Sequence, residues 1–172
     1  ISSSMLNDVL SKLNNNALIE INDIGKSVKN KPISIIKIGF GSIKIFFWSQ
    51  MHGNETTTTK AIIDFVNLLV INYDKDLVKT LLYRCTFYII PMLNPDGADA
   101  YTRVNANLVD LNRDAQNLSQ PESKILRNAF NKIKPDYCFN LHGQRTIFGT
   151  ESSGNSAVAS FLAPAQDNKL SI

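Results

Sequence analysis

A chain of 172 residues, 44% of them hydrophobic and 19% charged, is long enough to bury a core of its own and too apolar for a disordered polymer. Its net charge of +3 at pH 7 is small and evenly spread, which excludes a strongly basic nucleic-acid surface. No stretch reaches the roughly 18 apolar residues that span a bilayer. We therefore expect neither a nucleic-acid partner nor a membrane partner.

Helices and strands are predicted to alternate along the first half. Ser2 to Leu13 has apolar residues at helical spacing and predicts an amphipathic helix. Ile33 to Ile38 alternates as a strand does, and the glycines of Gly39 to Ser42 predict a hairpin turn into a second strand, Ile43 to Trp48. That strand is apolar on both faces, which is typical of a central strand covered by helices. A further helix is predicted to begin near Glu55.

The second half continues in the same way. Leu82 to Ile90 predicts a buried strand, and Asn94 to Gly97 has a turn sequence. Ser119 to Glu122 has the form of a capping box, so we predict a helix from there to about Ile133. Tyr137 to His142 predicts another strand. The alternation indicates an α/β fold in one domain, residues 1–172, with a mixed, mostly parallel central sheet flanked by helices.

Both histidines of the chain stand at predicted strand ends and precede a glycine. His52 follows the strand that ends at Trp48, with Glu55 three residues further on, and His142 closes the last predicted strand. Polar ligands collect at the carboxyl ends of strands in open α/β sheets. Two imidazoles and one carboxylate suit a catalytic zinc ion, which keeps its fourth position for water. The sequence therefore predicts a zinc hydrolase.

Four motifs in this order resemble those of the M14-type zinc carboxypeptidases. They are His52-Gly53-Asn54-Glu55, Asn94-Pro95-Asp96-Gly97, Asp110-Leu111-Asn112-Arg113 and Leu141-His142-Gly143. The resemblance covers roughly Ile43 to Gly143 and implies a carboxypeptidase-like fold. It also implies hydrolysis of a peptide bond next to a free carboxylate by zinc-activated water.

The resemblance implies a role for six residues. His52, Glu55 and His142 correspond to the ligands of one Zn²⁺ ion. Arg103 corresponds to the arginine that stabilises the tetrahedral oxyanion. Asn112 and Arg113 correspond to the pair that holds the substrate carboxylate, for which a guanidinium is suited because it forms two parallel hydrogen bonds. For Asp110 and Arg113 a structural ion pair is the alternative, and the Asn94 to Gly97 loop is expected to shape the site without touching substrate.

Three departures from the family pattern qualify this expectation. Asn54 stands where digestive carboxypeptidases have an arginine that helps to bind the substrate carboxylate. Leu108 replaces a common glycine, which is expected to alter its loop. The family's general base is a glutamate far beyond the third ligand, and Glu151, in a Gly- and Ser-rich stretch, is not assigned that role. We therefore expect the base beyond Ile172, in a longer catalytic domain of which this chain is the N-terminal portion.

Two other functions remain open on sequence grounds. One is an N-acyl amino acid deacylase similar to aspartoacylase and succinylglutamate desuccinylase, which would take an acyl amino acid in place of a peptide. The other is a non-catalytic zinc- or peptide-binding domain. Cys85 and Cys138, both in predicted strands, are expected to be buried thiols unless neighbouring strands pair them. Such thiols and the lack of a visible signal peptide favour a cytoplasmic protein, whereas the oligomeric state is not indicated.

Overall fold

Residues 1–143, which are the residues that the computed structural model describes, form five helices and five strands. The helices there are α1 (Ser3–Leu13), α2 (Thr56–Ile71), α3 (Asp76–Arg84), α4 (Pro95–Ala100) and α5 (Pro121–Ile133). The strands are β1 (Ile19–Lys26), β2 (Pro32–Gly39), β3 (Ile43–Ser49), β4 (Cys85–Ile90) and β5 (Tyr137–Leu141). None of these helices is long and apolar enough to cross a membrane.

The strands form one sheet in the order β1-β2-β4-β3-β5. β1 pairs with β2 and β2 with β4 in antiparallel fashion, whereas β3 is parallel to both β4 and β5. The predicted α/β fold with a mixed sheet is confirmed, with two of these four pairings parallel. Because β3, β4 and β5 run in the same direction, their carboxyl ends meet at one edge of the sheet.

Alternate residues of the strands build two separate cores, one on each face of the sheet. On one face Ile36, Ile38, Phe87 and Ile89 pack with buried residues of α1, α2 and α3. On the other face Phe46 and Ile90 pack with Leu93, Leu111 and residues of α5. The alternation of side chains along each strand therefore supplies apolar residues to both cores. The prediction that Ile43 to Trp48 is a central strand covered on both sides is confirmed.

The hairpin predicted at Gly39 to Ser42 is wrong. β4 lies between β2 and β3 in the sheet, so these two consecutive strands do not pair with each other. The two glycines allow close backbone contact instead. A side chain on Gly39 would overlap backbone atoms of Cys85, and one on Gly41 would overlap backbone atoms of Arg84. The Phe40 amide donates to the Leu82 carbonyl at 2.8 Å across the same junction.

Three local predictions also need correction. Leu82 belongs to α3, because the strand begins only at Cys85. Asn94 caps a short helix in place of an open turn, and its side chain accepts a hydrogen bond from the Gly97 amide at 2.8 Å. The capping box at the start of α5 does not form, since Gln120 is the N-cap and no side chain caps the helix.

The two cysteines are free and differ in exposure. Cys85 is buried, as expected, whereas Cys138 is exposed, contrary to expectation. Their strands, β4 and β5, lie on opposite sides of β3, and this separates the thiols. Glu151 and the unassigned tail from Gly149 to Ile172 lie outside the described residues. The single domain over residues 1–172 stays a prediction.

Candidate metal centre

Parallel strand ends bring the two histidines together, as the sequence predicts. In the ladder between β3 and β5, Ser49 is the partner of Leu141. His142 follows β5 at once, and His52 follows β3 after two more residues, so their rings meet with centroids 4.8 Å apart. Glu55 lies between them as the N-cap of α2, one residue before the first turn in which we expected it.

The three predicted ligands form a compact group. Glu55 places one carboxylate oxygen 2.7 Å from His52 Nδ1 and the other 3.0 Å from His142 Nδ1. One ligand atom from each residue lies within 4.8 Å of those of the other two. His52 is 1% exposed, and the Glu55 and His142 side chains are 14% and 34% exposed. The group is thus anchored in the core and open on the side of His142.

Asp110 fixes the orientation of the His52 ring. Its Oδ1 atom lies 3.0 Å from His52 Nε2. A carboxylate only accepts hydrogen bonds, so Nε2 donates to Asp110 when it carries the ring proton, and Nδ1 is then the ligand atom on the side of Glu55. The 2.7 Å approach of Nδ1 to the Glu55 carboxylate is satisfied either by a proton on Nδ1 or by a metal ion that both atoms bind. Nitrogen, nitrogen and carboxylate oxygen are zinc donors, and a ligating histidine commonly donates its other N–H to a carboxylate. The described residues therefore fit Zn²⁺.

Partial burial raises the pKa of Asp110, but hydrogen bonds from the Asn112 amide, the Arg103 guanidinium and His52 outweigh it and hold that pKa below its ordinary value. Asp110 thus stays ionised and keeps its role as an acceptor. Sequence reasoning treated this residue only as a possible partner of Arg113. That ion pair is not formed, because Asp110 contacts Arg103 and His52 instead. The signal that could have identified it is its place beside two predicted substrate residues.

A second layer of buried polar groups holds the loop that carries His52. Gln50 has a left-handed backbone with φ of 46° and donates from its side chain to the Gly53 carbonyl at 2.7 Å. Thr59 donates to the Gln50 amide oxygen at 2.5 Å, and Asn94 donates to the Met51 carbonyl at 3.2 Å. Gly53 packs so closely on the backbone of α4 that a side chain there would overlap it. The His52 and Asn94 motifs are therefore two halves of one folded unit.

Arg103 lies beside the ligand group. Its Nε donates to Asp110 Oδ2 at 3.0 Å, and its Nη1 lies 3.8 Å from Glu55 Oε1. The side chain is 49% exposed. A guanidinium that is held by one edge in this way presents its remaining N–H groups to the open side of the site.

Asn112 and Arg113 follow Asp110 in a tight turn. The Asn112 amide donates to Asp110 Oδ1 at 2.9 Å, and the Arg113 amide donates to the Asp110 carbonyl at 2.9 Å. The Arg113 side chain is exposed and makes a long contact of 3.5 Å with the Asn112 carbonyl. The turn therefore places both predicted substrate residues directly after Asp110, which contacts His52.

This geometry defines an α/β protein in which two histidines and one glutamate form a group that could hold a metal ion, at the carboxyl edge of parallel strands. The sequence matches the family model described as Zinc carboxypeptidase over residues 6–157. The chain belongs to the zinc carboxypeptidase family.

Relatives with assigned names agree with this membership. The chain is 34% identical to Carboxypeptidase SOL1 of Arabidopsis thaliana over 70% of this chain and 28% of that protein. It is 31% identical to Gamma-D-glutamyl-L-diamino acid endopeptidase 1 of Lysinibacillus sphaericus over 72% of this chain and 34% of that protein. A metallo-carboxypeptidase structure from Burkholderia cenocepacia superposes with a TM-score of 0.74 at 25% identity, covering 80% of this chain and 39% of that one. The chain thus spans about a third of the length of these proteins.

Proposed function

We propose that this chain supplies the metal site of a zinc-dependent carboxypeptidase, which hydrolyses a peptide bond next to a free carboxylate. The observation that carries the proposal is the ligand group of His52, Glu55 and His142, with Asp110 behind His52. The resemblance to Carboxypeptidase SOL1 supports a peptidase.

The three ligands would hold one Zn²⁺ ion through His52 Nδ1, a Glu55 carboxylate oxygen and a ring nitrogen of His142. Zinc in such a site polarises a carbonyl and lowers the pKa of water to about 7. Asp110 keeps the His52 ring in the required tautomer by accepting the Nε2 proton. The buried loop around His52 fixes the direction of the lone pair, so little reorganisation accompanies binding of the ion.

Arg103 is proposed to stabilise the negative charge that develops on the carbonyl oxygen of the substrate. Its contact with Asp110 fixes the guanidinium on the edge of the site, and its exposed N–H groups can point at that oxygen. A preorganised donor stabilises the transition state more than the ground state, because negative charge develops on the carbonyl oxygen only as the carbonyl is attacked.

Asn112 and Arg113 are proposed to bind the terminal carboxylate of the substrate. The Arg113 side chain is exposed and makes one long contact among the described residues, so its planar fork can take a carboxylate through two parallel hydrogen bonds. Asn112 would add a neutral donor beside it. A neutral Asn54 near the site leaves Arg113 as the principal cation for this carboxylate.

The general base is proposed to lie outside residues 1–143. Both carboxylates at the described centre already have a role, Glu55 as a metal ligand and Asp110 as the partner of His52. A hydrolase that lacks a positioned base loses typically a factor of about 10²–10⁴ in rate. Residues 1–143 therefore account for metal binding, oxyanion stabilisation and carboxylate recognition.

The test is a substrate panel combined with metal analysis. The panel contains short peptides with a free C-terminus, the same peptides with an amidated C-terminus, and N-acyl amino acids. We expect one equivalent of zinc, loss of activity with a chelator, and cleavage of the free-terminus peptides only. Preferential cleavage of acyl amino acids would favour the deacylase. Zinc binding without cleavage of any substrate would favour a binding domain.

A further inference from the structure

The segment from Arg103 to Asp110 carries two side chains of the metal centre although it contains no helix or strand. We propose that Asn105 is the positioning residue that holds this segment, so that Asp110 reaches His52. This inference rests on the proposed function. It concerns a residue that touches neither the ligands nor a substrate.

Asn105 closes the segment into a tight turn from within. The side chain is buried, with the residue 2% exposed. Its Oδ1 atom accepts hydrogen bonds from the backbone amides of Asn107 at 3.0 Å and Val109 at 3.1 Å. The backbone amide of Asn105 donates to the Val109 carbonyl at 3.0 Å. These bonds fix the residue that immediately precedes Asp110.

The other end of the same side chain fastens the turn to the protein. Asn105 Nδ2 donates to Gln120 Oε1 at 2.9 Å and to Glu122 Oε2 at 3.1 Å. Glu122 is fully buried, and its other oxygen accepts from the Val28 amide at 3.1 Å. Two donors and two acceptor positions of the Asn105 amide are thus all used. Only an uncharged carboxamide offers both sets of groups in this volume.

The metal centre depends on the place of this turn. Asp110 holds His52 Nε2 with one oxygen and Arg103 Nε with the other, each at 3.0 Å. Hydrogen bonds weaken steeply beyond about 3.5 Å, and a site that is displaced by about 1 Å loses function. Release of the turn would therefore loosen a zinc ligand and the proposed oxyanion donor together. Asn105 acts through Asp110 and not by contact with the reacting atoms.

The experiment compares Asn105→Ala and Asn105→Asp with wild type. Zinc affinity is measured by competition with a chelator, and exchange of the Val109 amide is followed by NMR. We expect about tenfold weaker zinc binding in Asn105→Ala, since mutation of an outer-shell partner typically costs 10–100-fold. We also expect faster exchange at Val109. Asn105→Asp keeps the acceptor oxygen but brings a charge against Glu122, so we expect a similar loss.

The matched control is Asn107→Ala in the same turn. The Asn107 side chain donates to Gln120 from an exposed position, and its removal leaves every bond of Asn105 in place. We expect wild-type zinc affinity in this variant. A double-mutant cycle with Asp110→Asn tests the route: if Asn105 acts through Asp110, its loss adds little once Asp110 is changed.

Wild-type zinc affinity in Asn105→Ala, or full additivity in the cycle, would overturn the positioning role. If both Asn105 variants fail to fold, the wild-type protein alone provides the test. Zinc binding is then expected to slow hydrogen exchange of the Val109 amide more than that of amides in α3. An equal effect at both places would refute the coupling between this turn and the metal centre. A wild-type protein that binds no zinc would refute the proposed function instead. Slow Val109 exchange in that protein would still support the turn held by Asn105.

Discussion

Replacement of Asp110 by asparagine tests the centre most directly, because it removes a charge with almost no change in volume. In the folded protein, Asp110 accepts from His52 Nε2 at 3.0 Å, from Arg103 Nε at 3.0 Å and from the Asn112 amide at 2.9 Å. An asparagine has one acceptor oxygen for these three donors. Its NH₂ group would face a donor on the other side, so at least one bond is lost.

Two separable losses are expected from Asp110→Asn. Zinc affinity should fall by 10–100-fold, which is the typical effect of losing the carboxylate behind a ligating histidine and corresponds to about 1.4–2.7 kcal/mol. Peptidase activity at saturating zinc should also fall, by about 10²-fold, because Arg103, the proposed oxyanion donor, loses the contact that fixes its guanidinium. The loss should appear in kcat more than in KM, since the oxyanion forms only in the transition state.

The assay is chelator competition for zinc, followed by steady-state kinetics at saturating zinc. Asp136→Asn is the control, because Asp136 also accepts a backbone hydrogen bond, from the Lys44 amide at 2.7 Å. Asp136 is exposed and lies at the opposite end of the strands from the metal centre. The control variant should bind zinc as wild type does. Unchanged zinc affinity in Asp110→Asn would refute the role assigned to Asp110 in orienting His52.

Three further predictions concern metal content, backbone strain and pH. His142→Ala is expected to lose the zinc ion, and full metal content by elemental analysis would contradict its assignment as a ligand. Leu108→Gly is expected to raise the free energy of unfolding by about 0.5–1 kcal/mol, because Leu108 is 80% exposed and has a left-handed φ of 61°. A lower urea midpoint in this variant would refute backbone strain at Leu108. Burial raises the pKa of Asp114, but hydrogen bonds from Ser119 and Gln120 lower it to about 2. The resulting stabilisation is full above the unfolded pKa of about 3.9 and is lost as the pH falls towards 2. Asp114→Asn should therefore cost about 1–2 kcal/mol at pH 7 and much less near pH 2, and an equal cost at both values would contradict this.

The ligand group is the part of the centre that local sequence predicts best. His52 and His142 each follow an apolar run that predicts a strand, and a motif places Glu55 three residues after the first histidine. Strand periodicity and strand ends are local properties, so they can be read without knowledge of the fold. The outer elements were less accessible. Half of the residues of β1 are polar, and α3 runs directly into β4, which hides the change of period after Leu82.

Two hydrogen-bond partnerships between residues distant along the chain were not predicted from the sequence. Asp110 lies 58 residues from His52, and Asn105 lies 17 residues from Glu122. Nothing in the residues around Asn105 distinguishes a buried carboxamide from a solvent-exposed loop residue. The same limit applies to Ser119, which we expected to cap α5 but which donates to Asp114 instead. Rules based on neighbouring residues fail where a side chain forms its hydrogen bond with a partner elsewhere in the fold.

Local sequence is sufficient to predict the mixed α/β class, the ends of β3 and β5, and the three candidate metal ligands, because burial pattern and motif spacing are encoded within a few neighbouring residues. The position of β4 between β2 and β3 is visible only in the folded protein, since strand order depends on pairings across the whole sheet. The contact of Asp110 with His52 rather than with Arg113 is likewise visible only there. We attribute that contact to the turn around Asn105, whose hydrogen bonds reach Gln120 and Glu122 at the start of α5.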